Sequence, residues 1–192
     1  MTHYSRKAIH GVSIIFLMGI LSNLFSYLLR LLLARNLTIE EYGLVYAIVG
    51  FFGFFSIFQD FGLGEALVKF TAEFKAQNKL KEIKSAIITV FSFQLLGSLL
   101  LGGFAIIFAN WLAIHHFHTP EAGILVTIYA ISIILSPTIN IFKSIFPGFQ
   151  EMRYLSIIDF SKMLFVVGCT YLFLTLGWGI KSVFFGYIFV CF

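Results

Sequence analysis

The sequence predicts an all-α integral membrane protein, and three observations predict it. Apolar stretches of membrane-spanning length recur five times, and a sixth begins near the C-terminal end. Of the 192 residues, 59% are hydrophobic and 11% charged, and the mean hydropathy is +0.96. A soluble core of this size does not hide that much apolar surface. Lys and Arg collect in short connections on alternate sides of the stretches. A helix of about 20 residues crosses the roughly 30 Å hydrocarbon layer. Backbone groups in lipid must be satisfied within the segment, so the spans are helices. A barrel would show alternating segments of about ten residues, which this chain lacks.

The first span is placed at about 12–34. Arg6 and Lys7 precede it, as in a signal peptide. The apolar run, however, is about twice the usual length, carries Arg30 and lacks a small-residue cleavage site, so it reads as a retained span. Gly19, Ser22, Asn23, Ser26, Tyr27, Arg30 and Ala34 fall in one arc at 100° per residue. Such a polar stripe is expected to face protein or a water-filled cavity. Arg at a helix centre costs roughly 2.5–3.5 kcal/mol, less near an end, where the guanidinium snorkels. Arg30 therefore reads either as an anchor to outer headgroups or as a cavity cation that meets an anionic substrate group bidentately.

Span two is placed at about 42–61, and Thr38 with Glu41 forms a capping box at its start. Gln59-Asp60-Phe61-Gly62-Leu63-Gly64-Glu65 ends it, and two glycines so close allow a sharp break. Asp60 shares a face with Gly53 and Ser56, so it is expected to point into the bundle as a candidate for ion coupling. Between about 65 and 82, Leu67, Phe70 and Phe74 recur at helical spacing beside Lys69, Lys75, Lys79 and Lys81. That pattern predicts an amphipathic helix at the inner headgroup surface.

Span three is placed at about 84–109 and span four at about 122–145. Thr119-Pro120-Glu121 supplies a capping hydroxyl, Pro at the first helical position and an acid in the first turn. Tyr129, Ser132, Ser136, Asn140 and Lys143 share one face of span four beside Pro137, which removes a backbone bond. Ser136 and Asn140 join Asn23, Ser26, Tyr27 and Arg30 as candidate cavity residues. Span five, about 155–176, carries Asp159, a second ion-coupling candidate, three residues from Lys162. The last segment, about 181–192, is too short to cross, so the lobe 1–192 is expected to be one part of a longer protein.

Orientation follows from the basic residues. Arg6, Lys7, Lys69, Lys75, Lys79, Lys81, Lys84, Lys143, Arg153 and Lys162 fall on one side, and Arg35 and Lys181 on the other. The first side, with the N-terminus, is expected to be cytoplasmic. The formal charge of +4 is then accounted for by topology and contact with anionic membrane lipids rather than nucleic acid. Cys169 and Cys191 sit in apolar segments and read as packing residues. His115, His116 and His118 have no acid or Cys at metal-like spacing, so no metal site is expected. Walker A and GxSxG sequences are missing. The chain therefore reads as a non-enzyme with no cofactor, and transport would draw on a gradient or another protein.

One ordered series carries a resemblance: Leu33-Ala34-Arg35, Glu40-Glu41-Tyr42-Gly43-Leu44, Asp60-Phe61-Gly62-Leu63, Ala66-Leu67-Val68-Lys69-Phe70 and Ala72-Glu73. It resembles the N-terminal region of the polysaccharide transporter (O-antigen flippase-like) family, within the multidrug/oligosaccharidyl-lipid/polysaccharide exporter group. The resemblance implies two helical lobes of six or more spans around a central cavity, with this chain the six-helix N-terminal lobe, its sixth span incomplete. It implies movement of a lipid-linked glycan by alternating access, with Arg30 facing the substrate phosphate. The missing second lobe, or another transporter half, would be the partner. Two other readings stand beside it: a cation-coupled drug or metabolite antiporter of the same fold using Asp60 or Asp159, and a non-transporting fragment or assembly module.

Overall fold

The computed structural model describes residues 3–191. Phe192, the end of the last expected segment, lies outside it with Met1 and Thr2, as do the side chains of Arg6, Lys7 and Cys191. The described residues form helices joined by short turns, with no strand among them. The helices are α1 (His3–Asn36), α2 (Ile39–Asp60), α3 (Leu63–Ala76), α4 (Leu80–Ile107), α5 (Ala109–His115), α6 (Ala122–Gly148), α7 (Met152–Thr175) and α8 (Lys181–Cys191). Five of them are long and apolar enough to cross a membrane: α1 from Ile15, α2 to Ile57, α4, α6 and α7.

Local chemistry sets most boundaries. At the start of α2, the Thr38 hydroxyl accepts from the Glu41 backbone N–H at 3.2 Å, and the Glu41 carboxylate accepts from the Thr38 N–H at 2.9 Å. The two bonds satisfy donors that helix geometry leaves orphaned. Thr38→Ala is expected to lower stability by about 1 kcal/mol, and Thr38→Ser to keep it, as read by thermal unfolding in detergent.

Three helices end on one device. Asn78 (φ 56°), Gln150 (φ 62°) and Gly177 (φ 80°) take the left-handed conformation just beyond α3, α6 and α7. In each case the following residue donates back across the last turn: Lys79 to Phe74, Glu151 to Phe146 and Trp178 to Phe173, at 2.9–3.1 Å. These are Schellman closures, and at α7 the rings of Phe173 and Trp178 stack at 4.9 Å to complete one. The closure at Asn78 stops α3 at Ala76 rather than near 82, and α4 begins at Leu80.

Two further expectations change. The third apolar run is interrupted at Phe108, so α4 and the short α5 share its length. At α6 the Thr119 hydroxyl donates to the Phe117 carbonyl instead of capping, and it is the Thr119 carbonyl that accepts from Ala122. Helix α6 therefore begins after Pro120 and Glu121, at Ala122.

Packing runs round an incomplete ring: α1 on α7, α7 on α8, α8 on α6, α6 on α4, and α4 on α2. Between α1 and α2 the contact is slight. The main core joins Leu29, Leu33 and Leu37 to Val45, Ile48, Phe52, Val126, Val166 and Phe184. Large apolar side chains such as Leu100 and Ile107 remain exposed on the outside, as suits a lipid-facing surface. Helix α3 does not stand apart. It packs on α4 and α6 with Leu67 and Thr71 buried.

Candidate functional site

Inside the ring is a cavity of about 260 Å³. Its lining comes from α2 (Phe52, Gly53, Ser56, Gln59, Asp60), α4 (Gln94), α6 (Tyr129, Ser132, Ile133, Ser136, Asn140), α7 (Lys162) and α8 (Tyr187). A second cavity of about 500 Å³ opens towards the lysine-rich end, beside Gly64, Glu65, Lys143 and Ser144. Asp60, Gln94 and Asn140 line both.

The chain break after α2 places Asp60. Phe61 and Gly62 are both left-handed, at φ 46° and 77°, which turns the chain into α3. The Asp60 carboxylate then accepts from the Gly64 N–H at 3.2 and 3.3 Å. The same carboxylate accepts from the Gln94 amide Nε2 at 2.5 Å. Gln94 is only 2% exposed, and its Oε1 is buried with no hydrogen-bond partner. An orphaned amide oxygen is costly in a low-dielectric interior.

Pro137 shapes the opposite wall. It supplies no N–H to the carbonyl one turn earlier, that of Ile133. The Ser136 hydroxyl donates to this carbonyl at 2.7 Å and accepts from Gln59 Nε2 at 3.3 Å. The helix runs through Pro137 unbroken, and the proline places a hydroxyl in the cavity wall.

The expected site residues fall into two groups. Asp60, Ser136 and Asn140 meet in the cavity. Asn23, Ser26, Tyr27 and Arg30 lie on α1 and do not line it. Tyr27 is 59% exposed; Asn23 and Arg30 are exposed and Ser26 half-buried. The Asn23 amide donates to the Gly19 carbonyl on its own helix at 3.0 Å. Arg30 acts electrostatically on the hydroxyls of Tyr46 in α2 and Tyr187 in α8. The Tyr46 ring lies 4.8 Å from that of Tyr42. Tyr187 also lines the cavity.

Asp159 forms an ion pair with Lys143 of α6 at 2.6 Å, where its sequence neighbour Lys162 was the expected partner. Lys162 instead contributes to the cavity wall. Gln94 gave no signal in the sequence: it is a single amide within a long apolar run, and its partner is 34 residues away. Among the described residues no three metal-ligating side chains gather.

Residues 8–191 match the family described as Polysaccharide biosynthesis protein. Over 162 residues the chain is 30% identical to a protein of Methanocaldococcus jannaschii named as an uncharacterized membrane protein, covering 80% of this chain and 32% of that relative. The chain thus spans about a third of the length of this relative. No solved structure gives a significant match.

Proposed function

Since this chain belongs to the polysaccharide biosynthesis family of membrane proteins, we propose that it is the N-terminal lobe of a transporter that flips lipid-linked oligosaccharide or polysaccharide precursors. Movement is by alternating access against a second lobe or another transporter half, in the cell membrane, with the N-terminus and the lysine-rich end cytoplasmic. The placement of Arg30 carries this reading. It is exposed on a polar stripe of a membrane-length helix. A guanidinium so placed binds a phosphate or pyrophosphate bidentately, and Asn23, Ser26 and Tyr27 extend the contact along α1. Ser136 and Asn140 offer hydroxyl and amide groups from the neighbouring cavity. Coupling to an ion falls to Asp60, because Asp159 is engaged by Lys143.

The test is Arg30→Ala in a longer protein that contains this lobe. Surface glycan is expected to fall at least tenfold at unchanged membrane abundance, with partial recovery in Arg30→Lys. Unchanged glycan in Arg30→Ala overturns the reading.

A further inference from the structure

We propose that the groove between α1 and α7, on the outside of the ring, binds one anionic phospholipid, with an acyl chain along the groove and the phosphate on Arg35. The groove has a volume of about 530 Å³, within the roughly 300–1,000 Å³ of ligand pockets. Leu28, Leu31 and Leu32 of α1 line it together with Val167 and Gly168 of α7, and Arg35 joins them at the end of α1. At 100° per residue these α1 positions fall roughly opposite Asn23, Ser26 and Arg30. The groove is therefore separate from the polar cavity, and lipid binding here does not rest on the flippase reading above.

Three observations select a phospholipid as the occupant. The first is depth. Phe25 of α1 meets Phe160 of α7 with ring centroids 5.7 Å apart, and further along both helices Arg35 shares the groove with Tyr171. The two helices thus run parallel, and both are long and apolar enough to cross a membrane. From Leu28 to Arg35 the groove rises about 10 Å, most of the roughly 15 Å of hydrocarbon in one leaflet. Leu28 and Leu31 are exposed in it, and at that depth their surroundings are acyl chains, not water.

The second observation is charge. Arg35 is exposed, and no carboxylate among the described residues pairs with it, whereas Lys143 and Arg153 have such partners. It stands at the end of the spans where basic residues are few, so the rule that gathers Lys and Arg on the cytoplasmic side does not account for it. The Asn36 amide is turned back to the Leu32 carbonyl at 2.8 Å, which leaves Arg35 as the charged donor at this end. Its planar fork holds a phosphate bidentately. A net anionic headgroup is preferred, because the ammonium of a choline headgroup repels the guanidinium. The third observation is shape. Gly168 lies in the groove, exposed, and a Cβ there would meet nothing within 4 Å. Glycine weakens a helix interior, and no neighbouring helix requires one here. The missing side chain deepens the groove on the α7 side.

The full chain, purified in detergent, is titrated with phosphatidylglycerol or phosphatidylcholine, and retained lipid is counted by native mass spectrometry. Phosphatidylglycerol is expected to saturate at one per chain and to bind at least tenfold more tightly than phosphatidylcholine. That comparison needs no variant to fold. Arg35→Gln should weaken phosphatidylglycerol at least tenfold. Gly168→Leu fills the groove without a clash and should weaken it as much, while Gly103→Leu, equally free of neighbours on α4, leaves it unchanged. A ligand that binds only the folded state raises its unfolding midpoint, so phosphatidylglycerol should raise the midpoint of the wild-type chain by several degrees and that of Arg35→Gln by less. Equal retention of the two lipids, or of phosphatidylglycerol by wild type and Arg35→Gln, overturns the site. Loss in Arg35→Gln with full retention in Gly168→Leu also overturns it, since the lipid then sits on the charge and not in the groove. Retention of a polyprenyl phosphate in preference to phosphatidylglycerol, or a dimer that Gly168→Leu dissolves, overturns the choice of occupant.

Discussion

Gly102→Leu is expected to leave no stably folded chain, while the same change at the adjacent Gly103 is tolerated. Helices in lipid gain nothing from hiding apolar surface from one another, so close packing between small residues holds them. The contact of α4 with α6 is the most extensive in the ring. At Gly102, a Cβ would overlap Cγ1 of Ile134, come within 2.9 Å of its Cδ1 and lie 3.1 Å from the Ala130 carbonyl. The isoleucine side chain can rotate, but the carbonyl is fixed in α6. One inserted methyl group costs roughly 1–3 kcal/mol. A leucine adds three more carbons, enough to remove much of a typical stability of about 5–15 kcal/mol. Nothing lies within 4 Å of a Cβ at Gly103, so its leucine projects into lipid. The measurement is the monodisperse fraction after detergent extraction, followed by the thermal midpoint. Equal behaviour of the two variants would show that the α4–α6 approach is not what holds the ring.

Some of this was readable in advance because its cause is local. The capping box of Thr38 and Glu41 needs only four consecutive residues, and it forms. The glycines after Asp60 permit a left-handed turn, and the chain breaks there. The stripe on α1 follows from helical period alone. Its surroundings did not follow, since nothing in the spacing shows that Asn23 and Arg30 stay exposed and outside the cavity lined by Asp60 and Ser136. The stops at Asn78 and Gln150 were hidden because neither is glycine and both are paid for by backbone bonds reaching across a turn. Thr119 misled because a hydroxyl before proline has two uses, and here it turns back to Phe117. Gln94 was the largest omission. Its meaning comes wholly from Asp60 on another helix, a relation made by packing and invisible to any local pattern.

Gly148→Val is expected to release α3 while the rest of the ring stays folded. At the last turn of α6, a Cβ on Gly148 would lie 2.7 Å from Thr71 Cβ, 2.9 Å from its Cγ2 and 3.2 Å from the Val68 carbonyl. Thr71 is fully buried and cannot swing away. Valine adds two methyl groups whose rotamers are stiff in a helix, so α3 must move. Leu67 packs α3 against Val90 of α4 and Ile141 of α6, away from Gly148, and at the Gly148 end Lys75 donates to the Phe149 carbonyl at 2.9 Å and lies over the Phe149 ring at 5.1 Å. A single exposed bond of this kind contributes about 0.5–1.5 kcal/mol, against an overpacking cost of roughly 3 kcal/mol. The overpacking wins, and local opening follows without global unfolding. Trypsin should then cut after Lys69 and Lys75 at least tenfold faster in detergent, leaving a resistant fragment that contains α4 to α7. Because Asp60 caps the first turn of α3 through Gly64, the same variant is expected to weaken the Asp60–Gln94 hydrogen bond. Unchanged cleavage would mean that α3 is held by its contact with α4, and that Gly148 is only a bystander at the end of α6.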